Sequence, residues 1–340
     1  MIVSTTDFLR RNNGHAVLPE TRPYTFNGVG MACGPRDPGQ AGAYWLGVAG
    51  AADQAVSRLE ELLDTRHPDL LDGSGAFELR SDIAYWRGES GDASGALELF
   101  EQLLADVVSA TGRDGFHALA VRNHVAYRRG LNGGIKRALE EYRRLLPDCE
   151  SSLGTGSRDT LMVRNNLAYW CGESGDATGA LELFEQLLAD VVPALGADDF
   201  YALATRNNVA YWRGFNGDVA GALTHYRLLL EECESTLGTR DYHTLSTRLQ
   251  LGLWSGVAGD LDDAIESLHR LLPDVEDALG AAHELGFSVR HQLARWYGAR
   301  GDTGKAVSIL GALVTDQRRV LGDSDYRTLA SQGLLSRHTR

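Results

Sequence analysis

Apolar positions recur along this chain at helical spacing, and the helices they outline recur every 42 residues. In "LMVRNNLAYWCG", Leu161, Leu167, Ala168 and Cys171 fall within one arc at 100° per residue. In "ATGALELFEQLLADVV", Ala180, Phe184, Leu187, Leu188 and Val191 share one face of a second helix. Between them stands "GD", where glycine permits a sharp turn and Asp176 is placed to cap the second helix. Each unit closes on "LG", at Gly154, Gly196, Gly238, Gly280 and Gly322, as a helix C-terminus favours. The unit is therefore a predicted hairpin of helix A and helix B. No stretch of the array alternates with the period of a strand.

Columns read at the 42-residue period make the repeat explicit. One runs Trp86, Arg128, Trp170, Trp212, Trp254, Trp296, and another, two residues on, runs Gly88, Gly130, Gly172, Gly214, Gly256, Gly298. A third carries Ala96, Ala138, Ala180, Ala222, Ala264 and Ala306. "GALELFEQLLADVV" occurs at 95–108 and again, letter for letter, at 179–192, so a block of two units was duplicated. Each unit buries its apolar face only against its neighbours, so the repeat decides the architecture. An earlier copy begins at 43 with one residue missing, and the chain ends on a helix A without a helix B. Residues 1–42, rich in glycine and proline around "GVGMACGPRDPGQAG", read as an irregular N-terminal segment, and 43–340 as the array.

The order L-A-x-x-x-x-x-x-G-D-x-x-x-A-x-x-x-F resembles the tetratricopeptide repeat, and "RNNLAYW" with the closing "LG" is similar to the 42-residue variety of kinesin light chains and bacterial regulator arrays. The resemblance implies an all-α fold: a right-handed superhelical solenoid of about seven tandem hairpins with a C-terminal capping helix. It implies a concave groove lined by helix A. In such repeats the asparagines of "NNLA" face that groove, which carries over to Asn123, Asn165 and Asn207. Four residues later on the same helical face stand Tyr127, Tyr169 and Tyr211. Two units change the pattern: one has Leu249 and Leu253 at these positions, and the next has His291 and Arg295. The three asparagines, the three tyrosines, His291 and Arg295 are the expected ligand contacts. Amides can both donate to and accept from a peptide backbone, tyrosine adds apolar area with a polar tip, and an arginine can hold a carboxylate.

Charge and composition narrow the partners. A net charge of −13 argues against the cationic stripe that a nucleic acid requires, and against an anionic membrane. No run suits a transmembrane helix, and the first residues lack the order of a signal peptide, so a cytoplasmic protein is expected. Cys33, Cys149, Cys171 and Cys233 include no CxxC pair and read as reduced structural thiols, with no metal site. "GARGDTGKAV" at 298–307 has the wrong glycine spacing for a phosphate loop and is this unit's copy of "GDATGA". No cofactor is expected. The expected function is a non-enzymatic protein- or peptide-binding scaffold or sensor, with any effector a separate polypeptide. The alternative is an enzyme in the groove, acting on a small molecule or peptide of secondary metabolism, with His291 as base and Arg295 as anchor.

One polar column sits inside the helix A core arc: Arg80, Arg122, Arg164, Arg206, Arg248, Arg290. A guanidinium does not enter a core unpaired. An acid stands sixteen residues before each, which predicts the ladder Asp64–Arg80, Asp106–Arg122, Asp148–Arg164, Asp190–Arg206, Glu232–Arg248 and Asp274–Arg290, and leaves Asp316 opposite Gln332 without an ion pair.

Overall fold

A computed structural model describes residues 38–48, 51–65, 73–323 and 325–339. The described residues form fifteen helices and no strand. They alternate A and B: α1 Pro38–Val48, α2 Ala52–Thr65, α3 Gly73–Glu89, α4 Ala93–Thr111, α5 Phe116–Leu131, α6 Ile135–Leu153 and α7 Arg158–Glu173. The alternation continues through α8 Ala177–Leu195, α9 Phe200–Phe215, α10 Val219–Thr236, α11 Tyr242–Ala258, α12 Leu261–Leu279, α13 Glu284–Arg300, α14 Thr303–Leu321 and a final helix A, α15 Tyr326–His338. They fall into two compact units that divide between Ser174 and Gly175. Within each unit every helix packs on the next in sequence, and successive A helices also touch. The helical part reaches back to Pro38, inside the stretch read as irregular; proline suits a first helical turn, whose N–H groups have no intrahelical acceptor. The rest of that segment, with Cys33, lies outside the described residues.

The turns form as their chemistry demands. The A-to-B turns place Gly91, Gly133, Gly217, Gly259 and Gly301 at φ between +86° and +105°, a region that costs any residue with a Cβ. Asp92, Asp176 and Asp218 then cap α4, α8 and α10, each accepting from the backbone N–H three residues on. Helix B buries a single stripe, such as Ala180, Phe184, Leu187 and Val191 in α8. Helix A is buried on most of its circumference, because helices B flank it and other helices A adjoin it.

The tryptophan and glycine columns turn out to be one device. A Cβ at Gly130, Gly214 or Gly256 would stand 2.3–2.5 Å from the ring of Trp170, Trp254 or Trp296 on the next helix A. The glycine is therefore the floor on which the following indole lies. Where arginine replaces tryptophan, Arg128 lies over Gly88, is 3% exposed, donates to the Tyr85 carbonyl at 3.0 Å and pairs with Glu89 at 2.9 Å. At the far end His338 covers Gly298 and completes the column.

The arginine ladder exists with other partners than the sequence spacing suggested. Arg80 pairs with Asp106, Arg122 with Asp148, Arg206 with Glu232, Arg248 with Asp274 and Arg290 with Asp316, at 2.6–2.8 Å. Each acid lies 26 residues after its arginine, on the helix B of the same hairpin, rather than sixteen before it. The end of an antiparallel helix B comes level with the start of its own helix A as well as of the next, and the carboxylates turn back. Asp316, expected to lack an ion pair, has one.

Candidate functional site

The expected ligand residues stand on helices A. Asn123 and Tyr127 belong to α5, Asn165 and Tyr169 to α7, Asn207 and Tyr211 to α9, His291 and Arg295 to α13. The first four lie in the unit ending at Ser174 and the last four in the unit beginning at Gly175. Seven of the eight are buried, and Arg295 alone is partly exposed. These side chains form the wall between helices more than an open lining.

In the first unit the asparagines connect through Asn166. Its Nδ2 donates to Asn123 Oδ1 at 3.0 Å, and Asn165 Nδ2 approaches Asn166 Oδ1 at 3.4 Å. The tyrosines pack edge-on to the tryptophan column: Tyr127 and Tyr169 lie 5.7 and 4.9 Å from the ring of Trp170. In the second unit Tyr211 stands edge-on to Trp212 at 5.2 Å and Trp254 at 6.2 Å. Asn207 differs from its equivalents. It is 1% exposed, and neither Oδ1 nor Nδ2 has a hydrogen-bond partner. A buried amide left unmatched costs about 1–3 kcal/mol, so this position asks for an explanation.

His291 Nδ1 lies 3.1 Å from Ser331 Oγ of α15, and the Arg295 guanidinium lies 5.0 Å above the Trp296 ring. The pKa values of the core thiols Cys149 and Cys233 are pushed up to about 11, mainly by burial, which opposes thiolate formation. Burial also lowers the pKa of His243 and His283 and, with Glu78 adding repulsion, lifts Asp82 to about 7. No cluster of three or more His, Cys, Asp or Glu suited to a metal occurs among the described residues. No described helix is long and apolar enough to cross a membrane.

No family model matches the chain, and no curated protein matches it by sequence. Solved structures do. A tetratricopeptide repeat protein from Parabacteroides merdae aligns over 88% of this chain and 96% of its own, with 11% identity and a TM-score of 0.56. A Rap protein complexed with Competence and Sporulation Factor aligns over 88% of this chain and 86% of its own, with 15% identity and a TM-score of 0.55. The fold is that of a tetratricopeptide-like solenoid. BtubC, also called BKLC, from P. vanneervenii aligns with this tetratricopeptide-like chain over 67% of its residues and over 90% of BtubC, at 19% identity and a TM-score of 0.52.

The sequence reading missed two features of the array. The depth of burial of the Asn and Tyr columns follows from flanking on both sides, which single-helix periodicity does not report. The Gly–Trp floor was legible in principle: its two columns run together through the repeats, two residues apart within each helix.

Proposed function

We propose that the chain is a binding solenoid that takes a protein or peptide segment along its helix A face, with Asn207 as a principal contact. The observation that carries this reading is the Asn207 amide, buried with donor and acceptor both unmatched, whereas its equivalents Asn123 and Asn165 each have a hydrogen-bond partner. An extended backbone offers one donor and one acceptor per residue, which is what that amide lacks. Reaching it requires Asn207 to turn about χ1 out of the wall. Unlike Asn123, whose Oδ1 accepts from Asn166, it breaks no side-chain hydrogen bond in doing so. Arg295, partly exposed, supplies a cation for a carboxylate in the same unit. The Rap protein complexed with Competence and Sporulation Factor supports the reading, since a solenoid of this fold there holds a bound factor.

The test begins with the segment that co-purifies with the chain, identified by mass spectrometry and resynthesised. Its affinity for the chain and for Asn207→Ala is then measured by calorimetry. Losing two hydrogen bonds to the segment should weaken binding about tenfold or more. The thermal midpoint should hold or rise, because the alanine removes an unmatched polar group. Equal affinity for both chains would overturn the assignment, as would a marked fall in the midpoint.

A further inference from the structure

The unmatched amide of Asn207 has company across the contact between α9 and α11. Gln250 of α11 is 3% exposed, and its Oε1 also has no hydrogen-bond partner. The repeat pairs these two positions. Gln250 stands 43 residues after Asn207, as Asn166 stands 43 residues after Asn123, and Asn166 Nδ2 donates to Asn123 Oδ1 at 3.0 Å between α7 and α5. In α11 that position carries glutamine, one methylene longer than asparagine, and the bond is not made. The second bond is lost as well. Asn166 Oδ1 meets the Nδ2 of its neighbour Asn165 at 3.4 Å, whereas the neighbour of Gln250 is Leu249, whose side chain has nothing to donate. Two acceptors and one donor are thus left at this contact: Asn207 Oδ1, Gln250 Oε1 and Asn207 Nδ2.

On the reading that the helix A face takes a protein or peptide segment, we propose that Asn207 and Gln250 clamp one primary carboxamide, the side chain of an asparagine or glutamine in that segment. A primary carboxamide has two N–H donors and a carbonyl acceptor. Its NH2 group donates to Asn207 Oδ1 and Gln250 Oε1, and its carbonyl accepts from Asn207 Nδ2. Amide lies against amide at Asn207, and Gln250 supplies the third bond. A backbone amide has a single N–H, so it satisfies Asn207 and leaves Gln250 Oε1 unmatched. A carboxylate brings no donor and would face two oxygens. A guanidinium or ammonium group serves both oxygens but offers Asn207 Nδ2 no acceptor. Of these groups, the carboxamide alone matches all three atoms. Asn207 meets it by turning about χ1, and the longer Gln250 side chain has a further torsion with which to follow.

Nonapeptides of alternating glycine and alanine, with asparagine, aspartate or alanine at the centre, serve as probes. Their binding to the isotope-labelled full chain is followed by NMR shift titration in the parent, Gln250→Leu and Gln250→Asn. The parent should bind the asparagine peptide about tenfold more tightly than the alanine peptide, and the aspartate peptide more weakly than either. Gln250→Leu should abolish the preference for asparagine and leave the affinity for the alanine peptide unchanged. Gln250→Asn should abolish it too, and raise the thermal midpoint, because it restores the bond that Asn166 makes to Asn123. Equal affinity of the parent for the asparagine and alanine peptides would overturn the clamp. So would a preference that survives in either variant, or no shift with any probe at millimolar concentration. These results leave the broader reading standing, since that is decided separately by the affinity of the co-purified segment for Asn207→Ala.

Discussion

Gly256→Ala sets two physical effects against each other with opposite signs. Within a helix interior, alanine is favoured over glycine by about 0.8–1.0 kcal/mol, so propensity alone predicts a more stable chain. Packing predicts the reverse. The added Cβ would stand 2.3 Å from Trp296 Cε2 and 2.6 Å from Cδ2 and Cζ2, against about 3.5–4.0 Å for an ordinary carbon contact. The indole is 2% exposed and must retreat by more than about 1 Å into a filled core. Overpacking of this kind costs about 1–3 kcal/mol and at times more, so the net effect is a loss of up to about 2 kcal/mol. Because the contact joins α11 to α13, the loss falls on an interface between neighbouring repeats. Urea titration followed by tryptophan fluorescence and by circular dichroism measures it. Gly311→Ala is the control: it lies in α14 with nothing within 4 Å of its Cβ, and should stabilise by up to about 1 kcal/mol. Shrinking the ring in Trp296→Leu should remove part of the clash, so that the double variant loses less than the sum of the singles. Should Gly256→Ala move the midpoint in the same direction as Gly311→Ala, the floor-and-indole account fails.

The ion-pair ladder makes its own prediction through a double-mutant cycle. Arg206 and Glu232 are partly buried at 25% and 29% side-chain exposure, between the open pairs worth about 0–1 kcal/mol and the buried pairs whose rupture costs about 3–5, so Arg206→Ala should cost about 1–2 kcal/mol. Coupling should appear with Glu232→Ala and be absent with Asp190→Ala; coupling to Asp190 instead would restore the sixteen-residue pairing. His283 predicts a pH dependence: its Nδ1 accepts from Leu285 N–H and caps α13, and burial holds its folded pKa below the usual 6.5. The unfolded chain therefore takes the proton first, and the stability present above 6.5 is lost as pH falls through the folded value. His283→Asp keeps a cap acceptor without titrating in that window, so its urea midpoint should fall less than the parent's between pH of about 7.5 and about 5. Identical slopes would show that this cap carries no proton linkage.

Much of the fold was legible because its determinants are local. Helix-breaking glycines, capping aspartates and apolar stripes each report on a few adjacent residues, and they stand where the 42-residue columns put them. The ladder was half legible. Its residue types announced an ion pair, but a carboxylate near the end of helix B is level with two arginine-bearing helices, and sequence spacing does not choose between them. The Asn and Tyr columns were legible as a shared face and misleading about access. An i, i+4 pair fixes direction around one helix, whereas burial depends on how closely the neighbouring A helices approach. That approach is set by the Gly–Trp floor, a contact between residues some 40 positions apart.

The duplicated two-unit block has a physical counterpart in the core of helix B. The position of Phe100 and Phe184 is held in the intervening units by Tyr142 and Tyr226. Both tyrosines are fully buried, yet each hydroxyl donates at 3.1 Å to a main-chain carbonyl of its own helix A, Asn123 for Tyr142 and Asn207 for Tyr226. That carbonyl already lies within a helical ladder, so the hydroxyl uses its second lone pair and satisfies a buried donor at little expense to the helix. Phenylalanine fills the same volume with no donor to place. Two kinds of core contact therefore alternate from α4 to α10: at this position one helix B meets its helix A by packing alone, the next by packing and a side-chain-to-carbonyl bond. The asparagine whose carbonyl receives that bond in the second unit is Asn207, the residue whose amide is unmatched. Its backbone is anchored from one side while its buried amide has no hydrogen bond. A rigid main chain carrying a free amide is the arrangement a recognition residue needs, because only the side chain has to be ordered when a ligand arrives.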